Sequence, residues 1–152
     1  MGPSCCARRW HALTLTLSQR ERGQIGVEEI TVGVEEALAA NEAFYRAFNQ
    51  KDTAAMSALW SDTVEIGCVH PGWNVLTGRD PVMESWIRIL SNPEQPRIMT
   101  GGSSATILGD VAIVICRELV GGTPLAATNI FHLEDGAWRM VHHHSGPVAL
   151  IG

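Results

Sequence analysis

Residues 134–147 read EDGAWRMVHHHSGP, and this stretch predicts the last hairpin of a β-sheet. Asp135 and Gly136 form a turn dipeptide, because Gly accepts a positive φ at no steric cost. The residues after the turn suit a pleated strand, in which successive side chains point to opposite faces. The expected faces are Trp138, Met140, His142 and His144 on one side and Arg139, Val141, His143 and Ser145 on the other. Whichever face lines a cavity therefore carries an imidazole, which can exchange a proton near neutral pH.

The chain before this hairpin divides into a helical part and a strand part. Residues 28–50 show the apolar spacing of an amphipathic helix, and Thr53 is expected to cap a second, short helix. A strand over 64–70 precedes a third helix, which Asp80 and Pro81 are expected to begin. Segments 97–108, 111–120 and 125–133 favour strands of an antiparallel meander, with a bulge at Gly101-Gly102. This order predicts an α+β domain with three helices packed on one face of the sheet.

A chain of 152 residues is expected to form one main domain, which we place at residues 31–152. We interpret residues 1–30 as a tail that is either disordered or the product of a misassigned start codon. The first 26 residues contain four arginines and one glutamate, whereas the rest contains seven basic and fifteen acidic residues. A body this acidic repels a phosphate backbone, so we expect no nucleic-acid partner.

The apolar residues and the cysteines indicate the compartment. No run of about eighteen apolar residues occurs, which predicts no membrane span. Cys5 and Cys6 lie in the tail, and Cys68 and Cys116 lie in strand-like apolar runs. That distribution fits thiols in a reducing compartment better than a disulfide framework, so we expect a cytoplasmic protein.

Five stretches together resemble a known family. They are AFYRAFNQKD (43–52), CVHPGW (68–73), GR (78–79), ATNIF (127–131) and DGAWRMVHHHSG (135–146). In this order they resemble the SnoaL-like group of the nuclear transport factor 2-like superfamily, whose fold is described as cystatin-like. The resemblance covers about residues 34–150. The last stretch also resembles the association domain of calcium/calmodulin-dependent kinase II, which shares this fold.

The resemblance implies a cone-shaped domain, in which a curved antiparallel sheet wraps three N-terminal helices and leaves an apolar pocket at its open end. Members of the superfamily often form homodimers through the sheet. Some are enzymes, including ketosteroid isomerases, scytalone dehydratase and polyketide cyclases, and others only bind ligands or assemble partners. The fold by itself therefore does not decide the function.

His144 and His70 are our candidates for catalytic residues. Each lies at the end of a predicted strand, where the pocket mouth is expected, and each can act as a general base or donate a hydrogen bond. The alternative for His144 is a structural contact with a backbone carbonyl, and the alternative for His70 is a surface turn contact. His142 shares the expected face of His144 and is a candidate ligand-binding residue.

The other ligand-binding candidates are polar or aromatic residues in apolar segments. Asn129 lies in the middle of a strand, where a buried amide needs a partner. Asn41 and Tyr45 interrupt the apolar stripe of the first helix, and such a Tyr resembles the oxyanion donor of ketosteroid isomerases. The alternative is that these three are satisfied core residues. Trp60, Trp73 and Trp86 are expected to be either core residues or pocket walls, and flat apolar walls would suit a ring-shaped ligand.

The acidic residues weaken the enzyme interpretation. Glu118 lies beside Arg117, so we expect a surface ion pair there, and a steroid isomerase needs a buried carboxylate base. The histidine spacing matches no recognised metal motif, and no Gly-rich phosphate loop precedes a helix. We therefore expect neither a metal nor another cofactor.

Two functions remain open from the sequence. The first is a protein that binds a small apolar molecule bearing a carbonyl, and that acts as a cofactor-independent isomerase, dehydratase or cyclase through histidine acid–base chemistry. The second is a non-catalytic ligand-binding or dimerisation module. Convergence of His144, His70, Asn129 and Tyr45 on one cavity favours the first, and scattered side chains favour the second.

Overall fold

The computed structural model of the chain describes residues 19–149, with side chains from residue 33 onward. Its helices are α1 (Gln19–Gln50), α2 (Thr53–Leu59) and α3 (Arg79–Leu90). Helix α1 begins earlier than residue 28, so residues 19–30 of the expected tail are helical. Residues 1–18 lie outside the described part, and the hypothesis about the start codon stays a prediction.

The start of α2 differs from expectation by one residue, and that of α3 by two. The side chain of Asp52, not of Thr53, caps α2 by accepting a hydrogen bond from the Ala55 N–H at 2.8 Å. Helix α3 begins at Arg79 rather than after Asp80, and Gly78 precedes it at a φ of 89°, which favours glycine. Both starts still lie in the predicted turns.

The strands form one six-stranded sheet. They are β1 (Gly67–Val69), β2 (Leu76–Thr77), β3 (Ile98–Leu108), β4 (Val111–Val120), β5 (Thr123–Glu134) and β6 (Ala137–Pro147). The spatial order is β2-β1-β6-β5-β4-β3, in which β3 to β6 form the predicted antiparallel meander and β1 lies parallel to β6. Asp135 and Gly136 have φ values of 48° and 78°, which confirms the predicted turn. The register shift between Gly101 and Ser104 confirms the predicted bulge in β3.

A second bulge, in β6, corrects the predicted faces of the last strand. Met140 pairs with Phe131 and His142 pairs with Ile130, so Val141 is an extra residue without a partner on β5. One extra residue reverses the alternation that follows it. The prediction that His142 and His144 share the face of Trp138 and Met140 is therefore wrong.

The inner face of the sheet packs against the helices. Phe44 and Phe48 of α1, Met56 of α2, Trp86 of α3, and Phe131 and Met140 of the sheet are buried together. Phe44 and Trp86 meet edge to face, with ring centroids 5.4 Å apart. This arrangement confirms three helices on one face of a mainly antiparallel sheet. Within the described residues no helix combines the length and apolar character that a membrane crossing requires.

Candidate functional site

A cavity of about 540 Å³ opens between helices α1 and α3 and the inner face of the sheet. Its apolar lining includes the aromatic side chains of Phe44, Phe48, Trp73 and Trp86. Four buried polar side chains also line it, namely His70, Glu118, His143 and Ser145. A mostly apolar cavity with a few placed polar groups is the usual form of a small-molecule site.

His143 is the imidazole that β6 turns toward the cavity. It lies directly opposite Asn129 of β5, and its Nδ1 is 2.6 Å from the Asn129 Oδ1. Phe44 packs against the imidazole with ring centroids 5.1 Å apart. Among the described residues, Nε2 of His143 has no hydrogen-bond partner. Nε2 is therefore the nitrogen that remains for a ligand.

A chain of hydrogen bonds determines which nitrogen of His143 carries the proton. The Tyr45 hydroxyl donates to Glu118 Oε1 at 2.6 Å, so its oxygen accepts from Asn129 Nδ2 at 3.2 Å. The same Nδ2 donates to Asn41 Oδ1 at 2.7 Å. Asn129 Oδ1 is thereby the atom that faces His143, and Nδ1 of His143 must be the donor. Nε2 then holds a lone pair, which makes it a base.

His70 follows β1 and lies on another wall of the cavity. Its Nε2 is 2.8 Å from Ser85 Oγ, and the Ser85 hydroxyl donates to the Val82 carbonyl at 2.7 Å. The Ser85 oxygen can therefore only accept from His70 Nε2–H, which leaves Nδ1 as the acceptor. The imidazoles of His70 and His143 have centroids 6.4 Å apart. Two neutral imidazoles thus line one cavity.

Burial keeps both imidazoles neutral. Burial, with a contribution from the nearby His70, lowers the pKa of His143 to about 3. Burial, with a contribution from the Arg88 charge, lowers the pKa of His70 to about 4. Burial also raises the pKa of the Cys68 thiol to about 12, so this thiol stays protonated. At neutral pH Nε2 of His143 and Nδ1 of His70 therefore carry lone pairs.

Glu118 corrects our expectation of a surface ion pair. Its side chain is only 4% exposed and faces inward, whereas Arg117 is exposed on the other face of β4. The carboxylate accepts hydrogen bonds from the hydroxyls of Tyr45 and Ser145. Among the described residues it forms no ion pair with a cation. The cavity therefore contains a buried carboxylate, which was not expected from the sequence.

The structure divides the predicted site residues among three places, so His144, His70, Asn129 and Tyr45 do not converge on one cavity, and this criterion alone favours the non-catalytic module. His70, Trp73 and Trp86 line the cavity. Behind the cavity wall, in the buried core, lie Asn41, Tyr45, Trp60 and Asn129. His142 and His144 lie on the outer face of the sheet, where His144 is exposed and pairs with Thr128.

This placement changes the expected roles. The hydroxyl of Tyr45 is engaged by Glu118, and burial followed by the Glu118 charge raises its pKa, so it is no free oxyanion donor. Asn41 and Asn129 position His143 and do not themselves line the cavity. The bulge at Val141 directs His143, rather than His144, inward.

Sequence reasoning missed three functional candidates, namely Glu118, His143 and Ser145. A signal for Glu118 was present, because it shares its parity with the buried Ala112, Val114 and Cys116 on β4. No signal distinguished His143 from His144, since the bulge that separates them depends on pairing with β5. No cluster of three or more His, Cys, Asp or Glu suited to a metal occurs in residues 33–149.

Comparisons with known proteins agree with this architecture. A family model described as the SnoaL-like domain matches residues 37–149. A solved structure described as a candidate dehydratase of the NTF2-like family, from Streptomyces avermitilis, is 34% identical with a TM-score of 0.73. The match covers 79% of this chain and 99% of that one. An NTF2-like protein with a cystatin-like fold from Novosphingobium aromaticivorans is 18% identical with a TM-score of 0.61, covering 84% and 87% of the two chains, and so shares the fold.

Two further relatives have other names. A candidate calcium/calmodulin-dependent protein kinase type II association domain from Thiobacillus denitrificans is 29% identical with a TM-score of 0.66, covering 73% of this chain and 94% of that one. F-box protein SKIP8 of Arabidopsis thaliana is 32% identical over 111 residues, which are 71% of this chain and 48% of SKIP8. This chain therefore spans about half the length of that curated relative.

Proposed function

We propose that this chain, which belongs to the SnoaL-like family, binds a small carbonyl compound and moves a proton on the carbon beside the carbonyl. The observation that supports this most is the lone pair on Nε2 of His143, held toward an aromatic cavity by Asn129. A positioned base of this kind contributes to rate through proton transfer in the transition state. No cofactor enters the proposed reaction.

Within this class we favour a dehydration. His143 Nε2 takes the proton beside the carbonyl, and the electron pair of that C–H bond forms an enolate. The imidazolium then gives the proton to a hydroxyl on the next carbon, the C–O bond breaks, and water leaves as the double bond forms. His70 Nδ1, which lies 3.8 Å from the Cys68 sulfur, is a second acceptor near the substrate hydroxyl in the same cavity. The similarity to a candidate dehydratase over 99% of its length supports this choice over an isomerisation or cyclisation.

Solvent exchange and water loss test this proposal separately. The first assay follows, by proton NMR in deuterated water, the loss of the proton beside the carbonyl of tetralone. The second uses the aldol of benzaldehyde and acetone, whose dehydration product, benzylideneacetone, absorbs in the near ultraviolet. We expect the protein to accelerate both, and His143→Gln to reduce each rate about 100-fold or more.

His144→Gln is the matched control, because it changes the neighbouring imidazole on the outer face. We expect it to leave both rates within about twofold of the original. Exchange without water loss would redirect the proposal to an isomerisation. The absence of both reactions, in a folded protein that binds tetralone, would favour the non-catalytic module.

An observation on the outer face of the sheet supports a second function, homodimerisation. Met99 of β3 and Ile115 of β4 are 63% and 54% exposed, and both side chains point away from the helices. Leu119, which pairs with Met99, and Ile113 extend this apolar face along β4, and a contiguous exposed apolar patch marks a protein interface. We propose that a second copy of the chain covers this face, as members of the superfamily often pair through the sheet.

The oligomeric state tests this second proposal. We expect light scattering to give twice the chain mass, and Ile115→Asp to give a monomer, since a charge there must be buried in the dimer. Leu108→Asp, an exposed residue at the far end of β3, serves to locate the interface on the sheet. A monomeric original protein would overturn the proposal.

A further inference from the structure

The two ends of the cavity carry opposite charges. Glu118 and Ser145 form the inner pole, which is buried, and the Ser145 hydroxyl donates to Glu118 Oε2. A carboxylate offers about four acceptor positions, of which Tyr45 and Ser145 occupy two. A buried carboxylate without a cation is costly unless hydrogen-bond donors surround it. The inner pole therefore favours a ligand group that donates a hydrogen bond.

Arg88 supplies the other pole, at the mouth. It lines the cavity and is exposed, and its guanidinium lies 4.4 Å from the centre of the Trp73 ring. Stacking on an aromatic ring holds an arginine in place and leaves its donors free. Within residues 33–149 Arg88 forms no ion pair, although the sequence after residue 26 carries fifteen acidic residues. A guanidinium fork of this kind suits a carboxylate.

We propose that the ligand is a hydroxy acid, whose carboxylate Arg88 binds at the mouth and whose hydroxyl group Glu118 and Ser145 bind at the inner pole. The proposal places the ligand in the cavity of the proposed function, and it does not depend on the proposed chemistry. A hydroxyl is favoured over an ammonium, because both groups already bound to Glu118 are neutral hydroxyls. The same burial that keeps His70 and His143 neutral also disfavours a ligand cation.

Four unreactive probes test the proposal by binding alone. They are a hydroxynaphthoic acid with its two groups on opposite rings, the matching methoxynaphthoic acid, naphthoic acid and naphthol. Calorimetry gives each affinity, and quenching of the tryptophan fluorescence provides an independent check. We expect the hydroxynaphthoic acid to bind about tenfold more tightly than each of the other three, since charge-assisted hydrogen bonds are the strong ones.

Two variants assign each preference to its pole. Glu118→Gln should remove the preference for the hydroxyl and keep the preference for the carboxylate, and Arg88→Gln should do the reverse. Glu84→Gln is the control for the loss of a negative charge, and Arg117→Gln on the outer face is the control for the loss of a positive charge. Both controls should retain both preferences. If Glu118→Gln fails to fold, Ser145→Ala tests the inner pole in its place.

Four results would overturn the proposal. Equal affinity for hydroxynaphthoic acid and naphthoic acid would show that the site does not recognise the ligand hydroxyl. Equal affinity for hydroxynaphthoic acid and naphthol would show that it does not recognise the ligand carboxylate. Tighter binding of naphthylmethylamine than of naphthol would show that the inner pole recognises an ammonium rather than a hydroxyl. No binding of the hydroxynaphthoic acid at about 1 mM would also overturn it. Because none of these probes reacts, the proposed proton transfer is judged by its own assays.

Discussion

His143 and His144 are neighbours on β6, yet their imidazoles lie in opposite environments. His143 is 4% exposed, faces the cavity and donates to Asn129. His144 is exposed and pairs with Thr128 on the outer face of the sheet. The difference shows that the chemistry of a histidine here depends on the face it occupies, and that the bulge at Val141 sets the face.

The largest difference between the faces should appear when the residue opposite each histidine on β5 is changed. Asn129→Leu leaves the buried N–H of His143 and the Oδ1 of Asn41 without their partner, whereas the Tyr45 hydroxyl keeps its bond to Glu118. We expect it to lower the free energy of unfolding by about 3 kcal/mol. Urea denaturation with an unchanged slope measures this loss.

Thr128→Val is the matched control for that change, because Thr128 lies next to Asn129 and pairs with His144. We expect it to change the free energy of unfolding by less than about 0.5 kcal/mol. Equal effects of the two substitutions would contradict the asymmetry between the inner and outer faces.

Much of the fold could be predicted from local signals, but which side chains of β4 and β6 face the cavity could not. The turn at Asp135 and Gly136 and the strand 111–120 follow from residue preferences that act over a few positions. The face of His143 depends on how β6 pairs with β5, which no local pattern encodes. Glu118 was misplaced because both faces of β4 are apolar, with Ile113 and Ile115 on one and Val114 on the other.

The second difference between the two faces concerns how the stability of the fold depends on pH. Unfolded His143 takes up a proton below its ordinary pKa of about 6.5, whereas burial lowers the pKa of the folded residue to about 3. The unfolded state therefore binds more protons as the pH falls from 7 to 5, and folding is weakened. We expect this residue to cost about 2 kcal/mol of stability across that interval.

Thermal and urea unfolding of the variants at pH 7 and pH 5 check this dependence. His70 contributes in the same direction, because its pKa is also lowered, to about 4. His143→Gln should reduce the loss of stability between the two pH values, and His144→Gln should leave it nearly unchanged. A loss of equal size in both variants would contradict the burial argument.

A third and smaller effect should follow from cutting the hydrogen-bond chain behind His143. Tyr45→Phe removes the donor to Glu118 and the acceptor for Asn129, and we expect a loss of about 1.5 kcal/mol. Asn41 Oδ1 still accepts from Asn129 Nδ2 at 2.7 Å, so nitrogen NMR should show His143 with its proton on Nδ1. A mixture of the two neutral forms of His143 would contradict the role of Asn41 in holding the amide. The signals of His144 should not move in either case.

The smallest effect belongs to the outer face itself. Burial, followed by the charge of His144, lowers the pKa of His142. His144→Gln should therefore raise the pKa of His142 toward its ordinary value without reaching it, because burial, the larger cause, remains. An NMR titration of the His142 ring measures this change.

The rings of His142 and His144 have centroids 6.4 Å apart, as do those of His70 and His143. Because water screens charges near the surface, the charge of one imidazole should shift the pKa of its neighbour less in the outer pair than in the inner pair. A larger shift in the outer pair would contradict the distinction between the two faces.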